Sequence, residues 1–206
     1  MGQSVIDDFR SVYQTAGRRQ LVAPDSYDAV PLLYDWETGG IALGDVSQGS
    51  KIRSWGIVYE NGGVYLFPED TPAEKSLVVS VDGITEVSFA FDQLMRISVA
   101  YVVAGVTYLY WYDTAVPGYT TTTITGAISP KLTLDDKAKI AHILAESTVI
   151  LFYIKGNEVW YRLQNDRFGV EYQFTTGLVG VAQRINKVGL DKANRMHIEV
   201  QLRADS

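Results

Sequence analysis

The chain has 206 residues, 47% of them hydrophobic and 20% charged, the composition of a folded protein with enough apolar surface for a sizeable core. Its formal net charge of -6 argues against a general nucleic-acid binder, which needs clustered Lys and Arg against phosphates. The sequence holds no cysteine, which excludes disulfides, thiol nucleophiles and Cys-ligated metals, and no apolar run reaches the roughly eighteen residues a membrane-spanning helix requires.

Met1-Gly2-Gln3-Ser4 leads straight into Asp7-Asp8 without the basic start and apolar core of a signal peptide, so a soluble chain made in the cytoplasm is expected. Residues 4–16 then carry a helical pattern. Ser4 is placed to cap, Asp7 follows three residues on, and Gly17 with Arg18-Arg19 suits a C-terminus. Val5, Phe9, Val12 and Ala16 share one face, with Ile6 and Tyr13 beside it. A lone amphipathic helix of about three turns needs that face covered, either by its own domain or by a neighbouring subunit. Residues 1–20 are therefore read as a helical docking segment, with Val5, Ile6, Phe9, Val12 and Tyr13 as candidate interface residues. Residues 21–206 are read as a single all-β domain.

Pro24 and Pro31 interrupt the next stretch, so that Ala29–Tyr34 fits only an edge strand or an extended arm, and Gly39-Gly40 reads as a turn. From Lys51 the β pattern is plain. Ile52–Tyr59 and Val64–Phe67 flank Asn61-Gly62, the strongest local hairpin signal. Leu77–Val81 and Ile84–Phe91 follow as strands. Met95–Val103 and Val106–Tyr112 form a second hairpin about Ala104-Gly105, and Tyr119–Ile124, with four consecutive threonines, suits an exposed strand. Beyond a polar break at Leu134-Asp135-Asp136, the runs Lys139–Ala145, Val149–Ile154, Val159–Leu163 and Val170–Phe174 predict a four-stranded antiparallel meander. Leu178–Val188 and Arg195–Leu202 complete the chain's β-type runs.

A weak pattern recurs: an apolar residue, a small polar or acidic one, three variable positions, a basic residue, then Ile or Met. It occurs at Val46-Ser47 with Lys51-Ile52, Phe91-Asp92 with Arg96-Ile97, Leu134-Asp135 with Lys139-Ile140, and Leu190-Asp191 with Arg195-Met196. Starts 45, 43 and 56 residues apart give the period of a propeller blade or similar β array. The fold expected is all-β, an array of about four blade-like antiparallel meander repeats, closed or open, with one short N-terminal helix.

Later parts of the unit recur as well, Tyr112-Asp113 with Pro117-Gly118-Tyr119 paralleling Asp166 with Gly169 and Tyr172. Here the chain resembles sialidase-like β-propellers, whose blades carry a Ser-x-Asp-x-Gly-x-x-Trp turn. Gln164, Asp166, Gly169 and Tyr172 stand roughly at that motif's positions, with the hydroxyl residue missing and one position extra. As a whole, this acidic, cysteine-free chain rich in Thr, Tyr and Gly resembles the virion and tail proteins of tailed bacteriophages. That resemblance implies a tail or neck subunit located in the virion. Its partners would be copies of itself and other virion proteins, with no nucleic acid, no membrane insertion, no cofactor and no turnover.

No phosphate-binding glycine loop, His-Glu-x-x-His or Gly-x-Ser-x-Gly occurs. His142 and His197 fall near two of the repeat starts with no third ligand spaced to join them, so no metal site is expected. A propeller-type glycan hydrolase would pair two of Glu86, Glu146, Glu158, Glu171 and Glu199, and a sialidase would cluster arginines such as Arg96, Arg162 and Arg184; nothing in the spacing pairs them. Trp55, Trp111 and Trp160, with the many tyrosines, are the candidate contacts to a host-surface glycan, against the simpler account that they fill the interior and the sheet faces.

Overall fold

The computed structural model describes residues 39–46, 51–68, 71–92, 96–135, 148–175, 181–190 and 196–203. Within them the regular structure is β-strand apart from one 3-10 turn. The helix expected over residues 4–16, with Val5, Ile6, Phe9, Val12 and Tyr13, lies outside the described residues, as does the Ala29–Tyr34 run.

The strands form four antiparallel sheets in chain order, none of them closed on itself. The first holds β1 (Gly39–Val46), β2 (Lys51–Glu60), β3 (Gly63–Pro68) and β4 (Ser76–Ser80). The second holds β5 (Ile84–Phe91), β6 (Ile97–Val103), β7 (Val106–Asp113) and β8 (Gly118–Ile124). The third holds β9 (Ile128–Asp135), β10 (Thr148–Lys155), β11 (Glu158–Leu163) and β12 (Tyr172–Thr175), and the fourth only β13 (Val181–Leu190) and β14 (Met196–Arg203). Every strand pairs with the one before or after it in sequence, so each sheet is a simple meander.

Local chemistry accounts for the tight turns. Asn61 and Gly62 both take positive φ between the paired Glu60 and Gly63, and Ala104 and Gly105 do the same between Val103 and Val106. Two positive-φ residues match a type I′ turn, whose twist suits a hairpin. At Gly56 the reason for glycine is close approach. The Phe67 ring of β3 lies over it, and a Cβ would sit only 2.4 Å from that ring.

Two sequence expectations change. Gly39-Gly40 is no turn; it opens β1, opposite Val58 and Ile57 of β2. Leu134-Asp135 is no break either; it ends β9, the first strand of the third sheet. The meander's first strand is thus Ile128–Asp135, and Lys139–Ala145 lies outside the described residues.

The sequence repeat falls at one place in all four sheets, the connection from first to second strand. Val46, Phe91 and Leu190 are the last residues of β1, β5 and β13, and Leu134 is the last but one of β9. In the second sheet Asp92 shows what the acid does. It is buried, its Oδ1 accepts from the Arg96 amide at 2.9 Å, its Oδ2 meets Arg96 Nε at 2.7 Å, and its own amide donates to the Arg96 carbonyl at 3.0 Å. An acid and a base four residues apart thereby close the connection.

The sheets meet through their first strands: β1 lies beside β5, β5 beside β9, and β9 beside β13. Serines tie two of these contacts. Ser88 Oγ in β5 accepts from the Leu132 amide of β9 at 2.9 Å, and Ser129 Oγ in β9 accepts from the Ile185 amide of β13 at 2.9 Å. A buried amide facing a neighbouring sheet would be costly without such a partner. The larger core runs through the first three sheets, from Ile57 and Val64 through Val87, Phe89 and Leu109 to Leu134 and Tyr153. A smaller one, around Ile150, Phe152, Tyr161 and Ile185, joins the third sheet to the fourth.

Candidate functional site

First-to-second and third-to-fourth strand connections share one end of a meander, and there the second and third sheets are cross-linked. The segment resembling a Ser-x-Asp-x-Gly-x-x-Trp turn joins β11 to β12, third strand to fourth. It opens with the 3-10 turn Gln164–Asp166, continues through Arg167 and Phe168 at positive φ, and is closed by the Gly169 amide donating to the Asp166 carbonyl at 2.9 Å. Tyr172 donates from its hydroxyl to Asp166 Oδ2 at 2.8 Å, so acid and aromatic of the motif do meet. Arg167 reaches back to Asp113 at the end of β7, holding that carboxyl below its ordinary pKa, and Gln164 Nε2 donates to Asp92 Oδ2 at 3.4 Å.

Beside this seam lies the densest polar cluster among the described residues. Glu171 accepts from Lys155 Nζ at 2.7 Å, from the Tyr153 hydroxyl at 2.7 Å and from Arg162 Nη2 at 2.8 Å. Arg162 also donates to the Phe168 carbonyl at 2.7 Å and to the Tyr153 oxygen at 3.2 Å. Burial opposes the Glu171 charge, but the three donors outweigh it and bring its pKa down to about 2. Burial pushes the fully buried Tyr153 hydroxyl well above its ordinary range. A carboxylate saturated by donors and a phenol held neutral make a poor base and a poor nucleophile. What the cluster does is pin the β11–β12 connection to β10 and β11.

The surface of the second sheet offers a different kind of site. Tyr108, Tyr110 and Tyr112 alternate along β7 on one half-buried face, and Tyr119 of β8 stands opposite Tyr112. Tyr110 and Tyr119 stack with centroids 4.8 Å apart, Tyr101 and Tyr108 with centroids 5.5 Å apart, and the Arg96 guanidinium lies 4.8 Å from the Tyr112 centroid. Thr121 and Thr123 line the exposed edge of the same face, where Tyr119 is 45% exposed. Burial raises the pKa of Tyr110 and Tyr119, so their hydroxyls stay neutral.

The three tryptophans do not converge. They sit on three sheets, Trp55 on β2, Trp111 on β7 and Trp160 on β11. Trp111 is only 3% exposed, packs edge-on against Phe168 with centroids 5.1 Å apart, and donates to Thr122 Oγ1 at 3.1 Å, so it offers no ring face to a ligand. Trp55 packs edge-on against Phe91, and Trp160 lies under Lys155. The sequence offers these rings, together with the many tyrosines, as sugar contacts, against the simpler account that they fill the interior and the sheet faces. The signal that marked the tyrosine face instead was the alternation Tyr108, Tyr110, Tyr112.

Of the candidate acids and arginines, Glu171 and Arg162 meet, in the cluster above. Glu158 faces Lys155 across the β10–β11 turn, and Glu199 lies between Asn186 and Lys187 on the fourth sheet. His197 is opposite Gly189 in the fourth sheet, while Glu146 and His142 lie outside the described residues. Among the described residues no group of three or more His, Asp or Glu is placed to hold a metal ion, and no helix is long and apolar enough to cross a membrane.

In comparisons with protein-family models, curated proteins and solved structures, nothing matches the chain. Fold and polar clusters define its class, an antiparallel all-β protein of successive meander sheets cross-linked through their first strands and connecting loops.

Proposed function

We propose that the chain is a structural subunit of a symmetric particle, of the kind found in bacteriophage tails or necks, acting through protein–protein contacts. Its sheets are read as blades of a propeller-like array, and the side-by-side first strands β1, β5, β9 and β13 support that reading. The observation that carries the assembly is the fourth sheet. Among the described residues it holds two strands where the others hold four, and no strand lies beside the outer edge of β14 there. An open edge is a template for another chain. Light scattering on the purified chain, with and without residues 1–20, tests this. A large oligomer that dissociates on truncation supports both assembly and docking through Val5, Ile6, Phe9, Val12 and Tyr13; a monomer in both forms overturns assembly by this chain alone.

A second reading, a carbohydrate- or receptor-binding module, draws on the tyrosine–threonine face of the second sheet. Aromatic faces flanked by neutral hydroxyls suit a sugar ring. Binding of an oligosaccharide panel that is lost in Tyr119→Ala would favour it, and unchanged binding in that variant would remove it.

A further inference from the structure

We infer that the fourth sheet is the end cap of the array: the stack of sheets stops there and does not close into a ring on the first. The inference rests on the reading of the sheets as blades of one array and fixes that array as open. The second and third sheets are its interior members. Their second strands, β6 and β10, are buried at every residue but the last, because both faces of these sheets are covered. The second sheet meets the first through Phe91 against Trp55 and the third through Trp111 against Phe168. The third holds Leu151 and Tyr153 in the larger core and Ile150 and Phe152 in the smaller.

The fourth sheet has one such face. Ile185, Val188, Ile198 and Val200 turn to the small core, and Leu202, in step with them, is 40% exposed near the end of β14. The opposite face is polar. Asn186, Lys187, Glu199 and Gln201 are exposed there. Asn186 Nδ2 donates to Glu199 Oε1 at 3.1 Å, and Lys187 Nζ lies 3.9 Å from Glu199 Oε2. The first sheet ends in a face of different character. Ile57 and Val64 belong to the larger core, so the alternate residues Tyr65 and Phe67 of β3, with Leu77 opposite Tyr65, turn the other way. Leu77 is 55% exposed. Closing a ring would lay Phe67 and Leu77 onto the Lys187–Glu199 pair and strip its water, while Glu60 and Lys75 are already paired to each other at 2.6 Å. A polar outer face on the terminal unit is what ends a stack of repeats. Head-to-tail stacking of copies, which grows into open fibres, is stopped at this end by the same face.

The absence of cysteine permits labels at chosen sites in the full chain. Spin labels at Leu77→Cys and Gln201→Cys, on the outer faces of the first and fourth sheets, measure closure. Three sheet spacings keep the labels about 30 Å apart in an open array, whereas faces in contact bring them within about 10–20 Å. The longer distance is expected; the shorter one would overturn the inference. Thiol modification tests the cover on β14. Gln201→Cys should react about tenfold or more faster than Val200→Cys, one residue along on the inner face. A Gln201→Cys thiol no faster than Val200→Cys would overturn the cap. Light scattering keeps this inference apart from the assembly reading. A monomeric wild type with a fast Gln201→Cys thiol removes assembly and leaves the cap, and an oligomer with a slow one does the reverse.

Discussion

Strands β10 and β14 stand second in successive sheets, and the contrast between them shows what completes a sheet in this chain. β10 runs Val149-Ile150-Leu151-Phe152-Tyr153-Ile154 with every side chain buried, since β9 and β11 flank it and cores press on both faces. β14 runs Ile198-Glu199-Val200-Gln201-Leu202, apolar and polar in turn; Ile198 and Val200 pack on the small core, while Glu199, Gln201 and Leu202 are exposed. A continuous apolar run and an alternating run are what full and half burial of a strand require. The sequences of these two strands therefore already state how much cover each receives.

The largest effect expected follows from that difference. Phe152→Ala removes a fully buried ring from the small core and should cost about 3–5 kcal/mol in urea unfolding, whereas Val200→Ala on β14 should cost under about 1 kcal/mol. Equal losses would break the comparison.

Next comes the polar lock that the third sheet has. Glu171→Gln leaves Arg162 and Lys155 without their carboxylate, and about 3 kcal/mol should be lost at neutral pH. The Glu171 pKa is lowered from 4.5 to about 2 on folding, so its contribution is full above about 4.5 and disappears as pH falls through about 2. The gap in unfolding free energy between wild type and variant should accordingly close across that window, and a gap independent of pH would contradict the lock. In the fourth sheet, Lys187→Ala breaks a half-exposed pair at 3.9 Å and should change stability by less than about 0.5 kcal/mol.

Much of the fold was legible because local chemistry decided it. Asn61-Gly62 and Ala104-Gly105 announce their hairpins, and the Asp92-to-Arg96 spacing marks a connection that a single carboxylate closes. What escaped was settled by distant partners. β1 looked like a turn because Gly39-Gly40 has no side chains to pattern, and only its pairing with β2 makes it a strand. β9 was hidden by Ser129 at positive φ, by Pro130 beside it, and by an irregular register against β10. Ser129 is buried there because its hydroxyl receives an amide from β13, fifty-six residues away. The polar cluster was equally non-local. Glu171 and Arg162 were both visible as residues, but their meeting depends on how the β11–β12 loop folds back over Tyr153. The tyrosine face was written in the sequence as the alternation Tyr108, Tyr110, Tyr112, whereas the candidate tryptophans are held apart on three sheets.

The proposed assembly rests on the edge of β14 that is open among the described residues, and hydrogen exchange at β14 tests it most directly. Amides of β10 should be strongly protected at any protein concentration. Those of β14 should gain protection as concentration rises through the association range. Protection of β14 as deep as that of β10 in the dilute monomer would mean its edge is covered within one chain, and would contradict the account.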